Sequence, residues 1–212
     1  MEKKECAICG NKLGLFSNYV RTKEDAPLCK SCHMQSHSQF AALHYTLDEF
    51  KAHLNQVSEG NHTYETIFKD RLNEKQGEEK AGAQGPLQKN YSVPFVKKYG
   101  TGFSCIWAVE DFGLILVNTT RSVSSMRNLV FRYSELESYE YYTDKSYDGN
   151  SIDCNIRLNF RSPHPLNSVH VNVTDKNVYN AFDAYFAPII NCDKTEWDRR
   201  ADAALCRVPR LG

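Results

Sequence analysis

Long hydrophobic runs are missing from this sequence. No stretch reaches the roughly 18 consecutive apolar residues of a membrane-spanning helix. The opening residues, Met1-Glu2-Lys3-Lys4-Glu5, have none of the apolar character of a secretory signal. The chain is therefore expected to be cytoplasmic, where a disulfide framework does not persist. Net charge is missing as well: lysine plus arginine and aspartate plus glutamate each total 26. Residues 1–100 carry 14 basic and 12 acidic side chains, and residues 101–212 carry 12 and 14. Neither half has the positive field that nonspecific nucleic-acid binding requires, so nucleic acid is not the expected partner. Catalytic spacing is also lacking. His164 and His170 with Asp153 and Asp175 come nearest to a site, but His170 alternates with valines, as a solvent-facing strand residue does. No Cys-His-Asn or Cys-His-Asp arrangement can be assembled, and the chain reads as a non-enzyme.

Cysteine, by contrast, is patterned. Cys6-Ala7-Ile8-Cys9-Gly10 faces Cys29-Lys30-Ser31-Cys32, with nineteen residues between Cys9 and Cys29. Two thiolates on one tight turn reach the same tetrahedral ion, and a second such pair closes the shell. Gly10 suits the knuckle because glycine adopts positive φ without a steric penalty. Four thiolates leave no open position for water, so the expected cofactor is one structural Zn2+ held by Cys6, Cys9, Cys29 and Cys32. His33 and His37 follow closely. They are read as polar residues on the exposed face of a following helix, with substitution for a cysteine or binding of a second ion as the alternatives. Cys105, Cys154, Cys192 and Cys206 are widely separated, and the first two read as small buried hydrophobes on strands.

The length of 212 residues allows one medium domain or two small ones, and the pattern divides it further. Residues 1–45 are expected to form a zinc ribbon or treble clef, with Leu13, Leu15, Phe16, Tyr19 and Val20 covering the metal. Residues 46–72 are a helical segment. Thr46 and Glu49 make a capping box, Leu47, Phe50, Leu54 and Val57 share one face, Gly60-Asn61 ends the helix, and a short second helix carries Ile67, Phe68 and Leu72. Residues 73–90 are polar and glycine-bearing and read as a flexible linker. Residues 91–191 are a β region. Phe103 to Val109 and Gly113 to Asn118 form a hairpin about Glu110-Asp111-Phe112, and Leu129 to Tyr142 forms one or two bent strands. Ile152, Cys154, Ile156, Leu158 and Phe160 alternate with polar residues, and Val169, Val171 and Val173 repeat the pattern. Asp175 caps a helix striped by Val178, Ala181, Phe182, Tyr185, Phe186 and Ile189, which Pro188 stops. Residues 192–212 are a tail with no structural reading.

The fold class is therefore α+β: a small zinc unit, then an antiparallel sheet or barrel with a C-terminal helix. Several antiparallel strands followed by one amphipathic helix resemble the pleckstrin-homology (PH)-like superfold. Cys6, Cys9, Gly10, Leu13 to Phe16, Cys29 and Cys32, with Phe131 to Leu136 and Ser138-Tyr139-Glu140, are similar to a family of uncharacterised bacterial and phage proteins. That family pairs an N-terminal zinc ribbon with a PH-like C-terminal region. The resemblance implies fold and metal, not an activity.

The expected function is a non-enzymatic binding or adaptor protein that recognises a protein partner through the sheet and the zinc unit. One alternative is phosphate or lipid-headgroup binding at a membrane surface by the loop Thr119 to Arg127, through Arg121, Ser124, Ser125 and Arg127. The other is nucleic-acid binding by Lys3, Lys4, Lys12, Arg21, Lys23 and Lys30 beside Phe16 and Tyr19, a face largely cancelled by Glu2, Glu5, Glu24 and Asp25.

Overall fold

Leu114-Ile115-Leu116-Val117 is an unbroken apolar run where a half-exposed strand would alternate, and all four side chains are fully buried. Such a strand needs cover on both faces. The computed structural model describes residues 4–14, 19–72, 96–101, 104–120, 126–145 and 152–211, and it supplies both covers.

The run lies on β5 (Leu114–Thr120), inside a four-stranded antiparallel sheet with β3 (Val96–Thr101), β4 (Ser104–Val109) and β6 (Met126–Arg132) in sequence order. A second antiparallel sheet holds β7 (Leu136–Lys145), β8 (Ile152–Phe160) and β9 (Ser168–Val173). A third, of two strands, lies in the N-terminal unit and pairs β1 (Tyr19–Arg21) with β2 (Pro27–Cys29). One face of the first sheet, with Ile106, Ile115 and Val117, packs on Ile156, Leu158 and Val171 of the second sheet, and Phe131 stacks on Phe160 at 3.8 Å. The opposite face, with Val109, Leu114 and Leu116, packs on Ile67, Phe68, Ala201 and Ala204 from two helices. The described strands do not close into a barrel. β3 and β9 belong to different sheets and approach closely at Gly100, whose φ is +100° and where a Cβ would lie 2.5 Å from Val171 Cγ1.

Local chemistry explains the turns. Glu110–Phe112 forms a single 3-10 turn between β4 and β5, and Gly113 leaves it in the left-handed conformation at φ +58°. Another such turn, Tyr133–Glu135, separates β6 from β7, so the Leu129 to Tyr142 stretch is two strands. On β8 the alternation holds at Ile156, Leu158 and Phe160, whereas Ile152, at the strand's outer end, is 70% exposed. Cys105 is buried, and half-buried Cys154 accepts a hydrogen bond from the Tyr141 hydroxyl at 3.1 Å.

The helix expected to stop at Gly60-Asn61 does not stop there. Helix α2 (Leu47–Thr63) starts with the anticipated capping box: Glu49 N donates to Thr46 Oγ1 at 3.2 Å, and Thr46 N donates to Glu49 Oε2 at 2.7 Å. It then runs on through a π turn at Tyr64–Phe68 and helical residues 69–72. Gly60 is the point where the helix crosses β6: a Cβ there would lie 2.1 Å from the Asn128 carbonyl oxygen. Asn61 Oδ1 accepts from both the backbone N and the Nδ2 of Asn128 at 3.0 Å, and Asn118 Nδ2 donates to Asn128 Oδ1 at 2.9 Å. A glycine and an asparagine that resemble a stop are here a close approach and its hydrogen bonds.

Helix α3 (Lys176–Ile190) follows the Asp175 cap, which accepts from Asn177 N at 2.7 Å and Val178 N at 3.3 Å. Pro188 sits inside its last turn instead of ending it, two residues before the helix stops at Ile190. The tail is helical too. α4 (Thr195–Leu205) buries Ala201 and Ala204, and Arg132 pairs with Asp202 at 2.7 Å. Two alanines and few large apolar groups gave it no visible stripe. The 73–90 stretch read as a linker lies outside the described residues. Among those described, no helix is long and apolar enough to cross a membrane.

Replacing Gly60→Ala is expected to lower stability by about 1–3 kcal/mol, because the methyl meets backbone and not a movable side chain. Alanine's intrinsic helix advantage of about 1 kcal/mol works the other way. Urea unfolding of the variant, with a lower midpoint at unchanged slope, is the check.

Candidate metal centre

Among the described residues of the N-terminal unit, Leu28, Phe40 and Ala42 are buried beside Cys6 and Cys32, and the first three join the core of the strands. The unit's order comes from short hydrogen bonds around four sulfurs. In the first knuckle Cys6 N donates to Asn11 O at 2.9 Å and Gly10 N to Cys6 O at 2.8 Å, with Gly10 at φ +71°. Ala7 N, donating to Pro27 O at 2.8 Å, ties this knuckle to β2. The β1–β2 turn closes with Thr22 N to Ala26 O at 3.0 Å and Ala26 N to Thr22 Oγ1 at 3.2 Å. β2 delivers Cys29, and the single-turn helix α1 (Lys30–His33) brings Cys32 round to face it. Leu15 and Phe16, expected to cover the metal, lie outside the described residues.

Cys6, Cys9, Cys29 and Cys32 have their sulfurs within 4.8 Å of one another, the arrangement that can hold one metal ion. Cys9 Sγ and Cys29 Sγ are 3.8 Å apart. A tetrahedral thiolate shell with bonds of about 2.3 Å spaces its sulfurs at roughly this distance, whereas a disulfide needs about 2.05 Å. The donor set and the spacing therefore fit a metal.

Electrostatics point the same way. Burial pushes the Cys6 thiol up, but backbone N–H groups of Cys29, Cys9 and Ile8 outweigh it and bring its pKa down to about 6. Cys29 N donates to Cys6 Sγ at 3.2 Å, and Cys32 N to Cys29 Sγ at 3.4 Å. For Cys32, burial and then the neighbouring sulfurs push the thiol well above its ordinary range. Four adjacent sulfurs cannot all ionise without a cation among them. Cys6 and Cys32 are buried, while Cys9 is exposed and faces solvent.

His33 and His37 are not part of the sulfur cluster. His37 corrects its expected place on an exposed helix face: it is fully buried, past the end of α1. It opens a polar chain through the interior. His37 N donates to His53 Nε2 at 3.0 Å, His53 Nδ1 meets Gln56 Oε1 at 3.1 Å, and Gln56 Nε2 donates to Leu166 O at 3.2 Å. Main-chain groups fix the polarity of this chain at both ends. His53 must accept at Nε2 and donate from Nδ1, which is the neutral imidazole. Phe40 stacks on the His53 ring at 4.0 Å and on Tyr45 at 3.9 Å, completing the joint between the metal unit and α2. The readable signal was His53 itself, a polar residue on the same helical face as Phe50 and Val57.

The other candidate residues scatter. Arg127 donates from Nη2 to Met34 O at 2.7 Å, bracing β6 against the segment after α1. Arg121, Ser124 and Ser125 lie outside the described residues. Lys4 and Arg21 both donate to the Tyr19 hydroxyl, at 3.3 and 2.9 Å, and Arg21 also pairs with Asp25. Asp175 is a helix cap, Asp153 faces Asp144 across β8 and β7, His170 is on β9, and His164 lines a cleft of about 160 Å³ with Glu59, Arg132 and Glu135. Comparison with models of protein families, with curated proteins and with solved structures finds no match to this chain.

The purified protein is expected to carry one metal ion per chain, and the double variant Cys29→Ser/Cys32→Ser to carry none. Protons compete for thiolates, so affinity falls as pH drops. Elemental analysis and a pH titration of the Co2+-substituted protein, followed by its thiolate absorption, check both statements.

Proposed function

We propose that this chain is a zinc-containing, non-enzymatic binding protein that takes an extended peptide from a protein partner along the open edge of β7. Zinc is the metal that a four-cysteine tetrahedral set favours, and with four thiolates its role is structural. The hairpin β1–β2 with Cys29 at its end and Cys32 on the following turn suits a treble clef. Four strands, three strands and the helix α3 in chain order suit a PH-like arrangement, which is a fold analogy and carries no activity.

The observation that carries the reading is the edge. β7 pairs with β8 and, among the described strands, has no neighbour on its other side. The opposite edge, β9, has the backbone of His170 occupied by Gln39, and β6 is crossed by α2 at Gly60. Beside the β7 edge runs α3, and Tyr139, Tyr141 and Tyr179 line the seam. Tyr139 and Tyr179 meet edge-on at 6.3 Å, Tyr141 and Tyr179 lie at 5.4 Å, and the Tyr139 hydroxyl donates to Asp183 at 2.7 Å. All three rings are half-buried. A free strand edge supplies main-chain hydrogen bonds, and an adjoining aromatic seam supplies side-chain selectivity. The anion-binding alternative gains nothing from Arg127, which is directed at Met34, and the nucleic-acid alternative gains nothing from Lys4 and Arg21, which are gathered on Tyr19.

Selection from a displayed peptide library is the test, followed by amide hydrogen exchange with and without the selected peptide. Protection confined to residues 136–145 and the facing turn of α3 is the expected result. Failure to enrich any peptide, or protection elsewhere, overturns the reading.

A further inference from the structure

We propose that Gln39 is a metal-held guard on the edge of β9. Among the described strands β9 is terminal in its sheet, so none of them pairs with the backbone of His170 on its outer side. The side-chain amide of Gln39 takes that place. His170 N donates to Gln39 Oε1 at 2.8 Å, and Gln39 Nε2 donates to His170 O. An amide that accepts from the N–H and donates to the carbonyl of one residue reproduces the pairing of a neighbouring antiparallel strand. Uncovered edges are templates for unwanted pairing, and proteins cover them. Here the cover comes from 131 residues away in sequence.

What holds Gln39 there leads back to the sulfurs. The residue sits between two anchors, His37 at 0% exposure and Phe40 at 1%. Those anchors belong to the segment that continues from α1, and α1 carries Cys32. Arg127 fixes the same segment at Met34. Without a cation the four sulfurs within 4.8 Å lose what gathers them, and among the described residues between 4 and 33 the buried apolar side chains are Cys6, Leu28 and Cys32. Loss of the metal then frees the stretch from Cys32 to Gln39 and exposes the β9 edge. The edge is thereby coupled to metal occupancy through a continuous run of chain.

The proposal rests on a metal occupying the four-cysteine site, and the test separates the two. Amide hydrogen exchange is measured on the zinc-loaded protein, on the same protein after removal of zinc by a chelator, and on zinc-loaded Gln39→Ala. In Gln39→Ala, with its zinc content unchanged, the His170 amide is expected to exchange roughly ten-fold faster while β8 is unaffected. Zinc removal is expected to deprotect Cys29, Cys32 and His170 together. If His170 exchange does not change in Gln39→Ala, the guard is wrong whatever the metal does. If zinc removal deprotects Cys29 and Cys32 but leaves His170 as it was, Gln39 covers the edge without being held by the metal, and the coupling is overturned. Absence of bound zinc from the wild-type protein overturns the metal reading itself, while the Gln39→Ala arm still decides the guard.

Discussion

The constraint on which this structure depends is the burial of β5 on both faces. A strand reading Leu-Ile-Leu-Val cannot be satisfied by one partner layer, so the second sheet and α3 cover one side while the far end of the long helix and α4 cover the other. Each fully buried aliphatic side chain is worth about 1.5–3 kcal/mol, so leaving either face of β5 open would forfeit a large share of the roughly 5–15 kcal/mol by which a domain is stable. That requirement draws residues 47–72 across the sheet. Once α2 lies there, its N-terminal half presents Phe50 and His53 to Phe40 and His37 in the segment following α1, and the metal unit is drawn onto the same core. Leu28 and Phe40 belong to one continuous apolar cluster with the strands, so the metal unit and the helical segment do not stand apart from the β region.

Two polar chains run through this packing, and both are satisfied at each end by main-chain groups or by each other. Asn61, Asn128 and Asn118 fix where α2 crosses β6, and His53 with Gln56 fixes where it meets the metal unit and the connection before β9. A purely apolar interface tolerates sliding by a turn; a buried amide or imidazole does not, because any other register leaves a donor or acceptor without a partner in low dielectric. The cost of burying such groups is offset only in the one arrangement where they meet, and this makes them specifiers of position more than sources of stability.

The parts of the molecule legible in sequence are those set by neighbours a few residues away. The spacing of Cys6, Cys9, Cys29 and Cys32 announces the cluster because each pair is built on one turn. The alternation of Val169, Val171 and Val173, the Asp175 cap and the Thr46–Glu49 capping box are equally local. What was not legible depends on contacts from afar. Gly60-Asn61 reads as a helix stop until Asn128 lies against it. His37 reads as exposed until α2 covers it. The helix α4 has alanines where a stripe of leucines would be visible, and alanine is enough because the sheet face it meets is already bulky. Gln39 has no local signature at all. The loop of Arg121, Ser124 and Ser125 and the 73–90 stretch lie outside the described residues.

The metal unit also has to manage charge. A divalent ion with four thiolates carries two excess negative charges, and burying them without compensation is costly. The sulfurs divide the problem by position. Cys6, buried, takes an N–H from Cys29, and half-buried Cys29 takes one from Cys32, so backbone dipoles offset charge where water is excluded. Cys9 is exposed and leaves its share to solvent. The order of donors also ties the two knuckles to each other. One of the N–H groups on Cys6 comes from Cys29 of the second pair, and the hydrogen bond from Ala7 to Pro27 carries the link through the backbone. The hydrogen bonds to sulfur thus link the knuckles in addition to any ion that the four cysteines would share. An ion held by all four sulfurs would join both knuckles at one point, from which the chain leaving Cys32 continues towards His37 and Phe40.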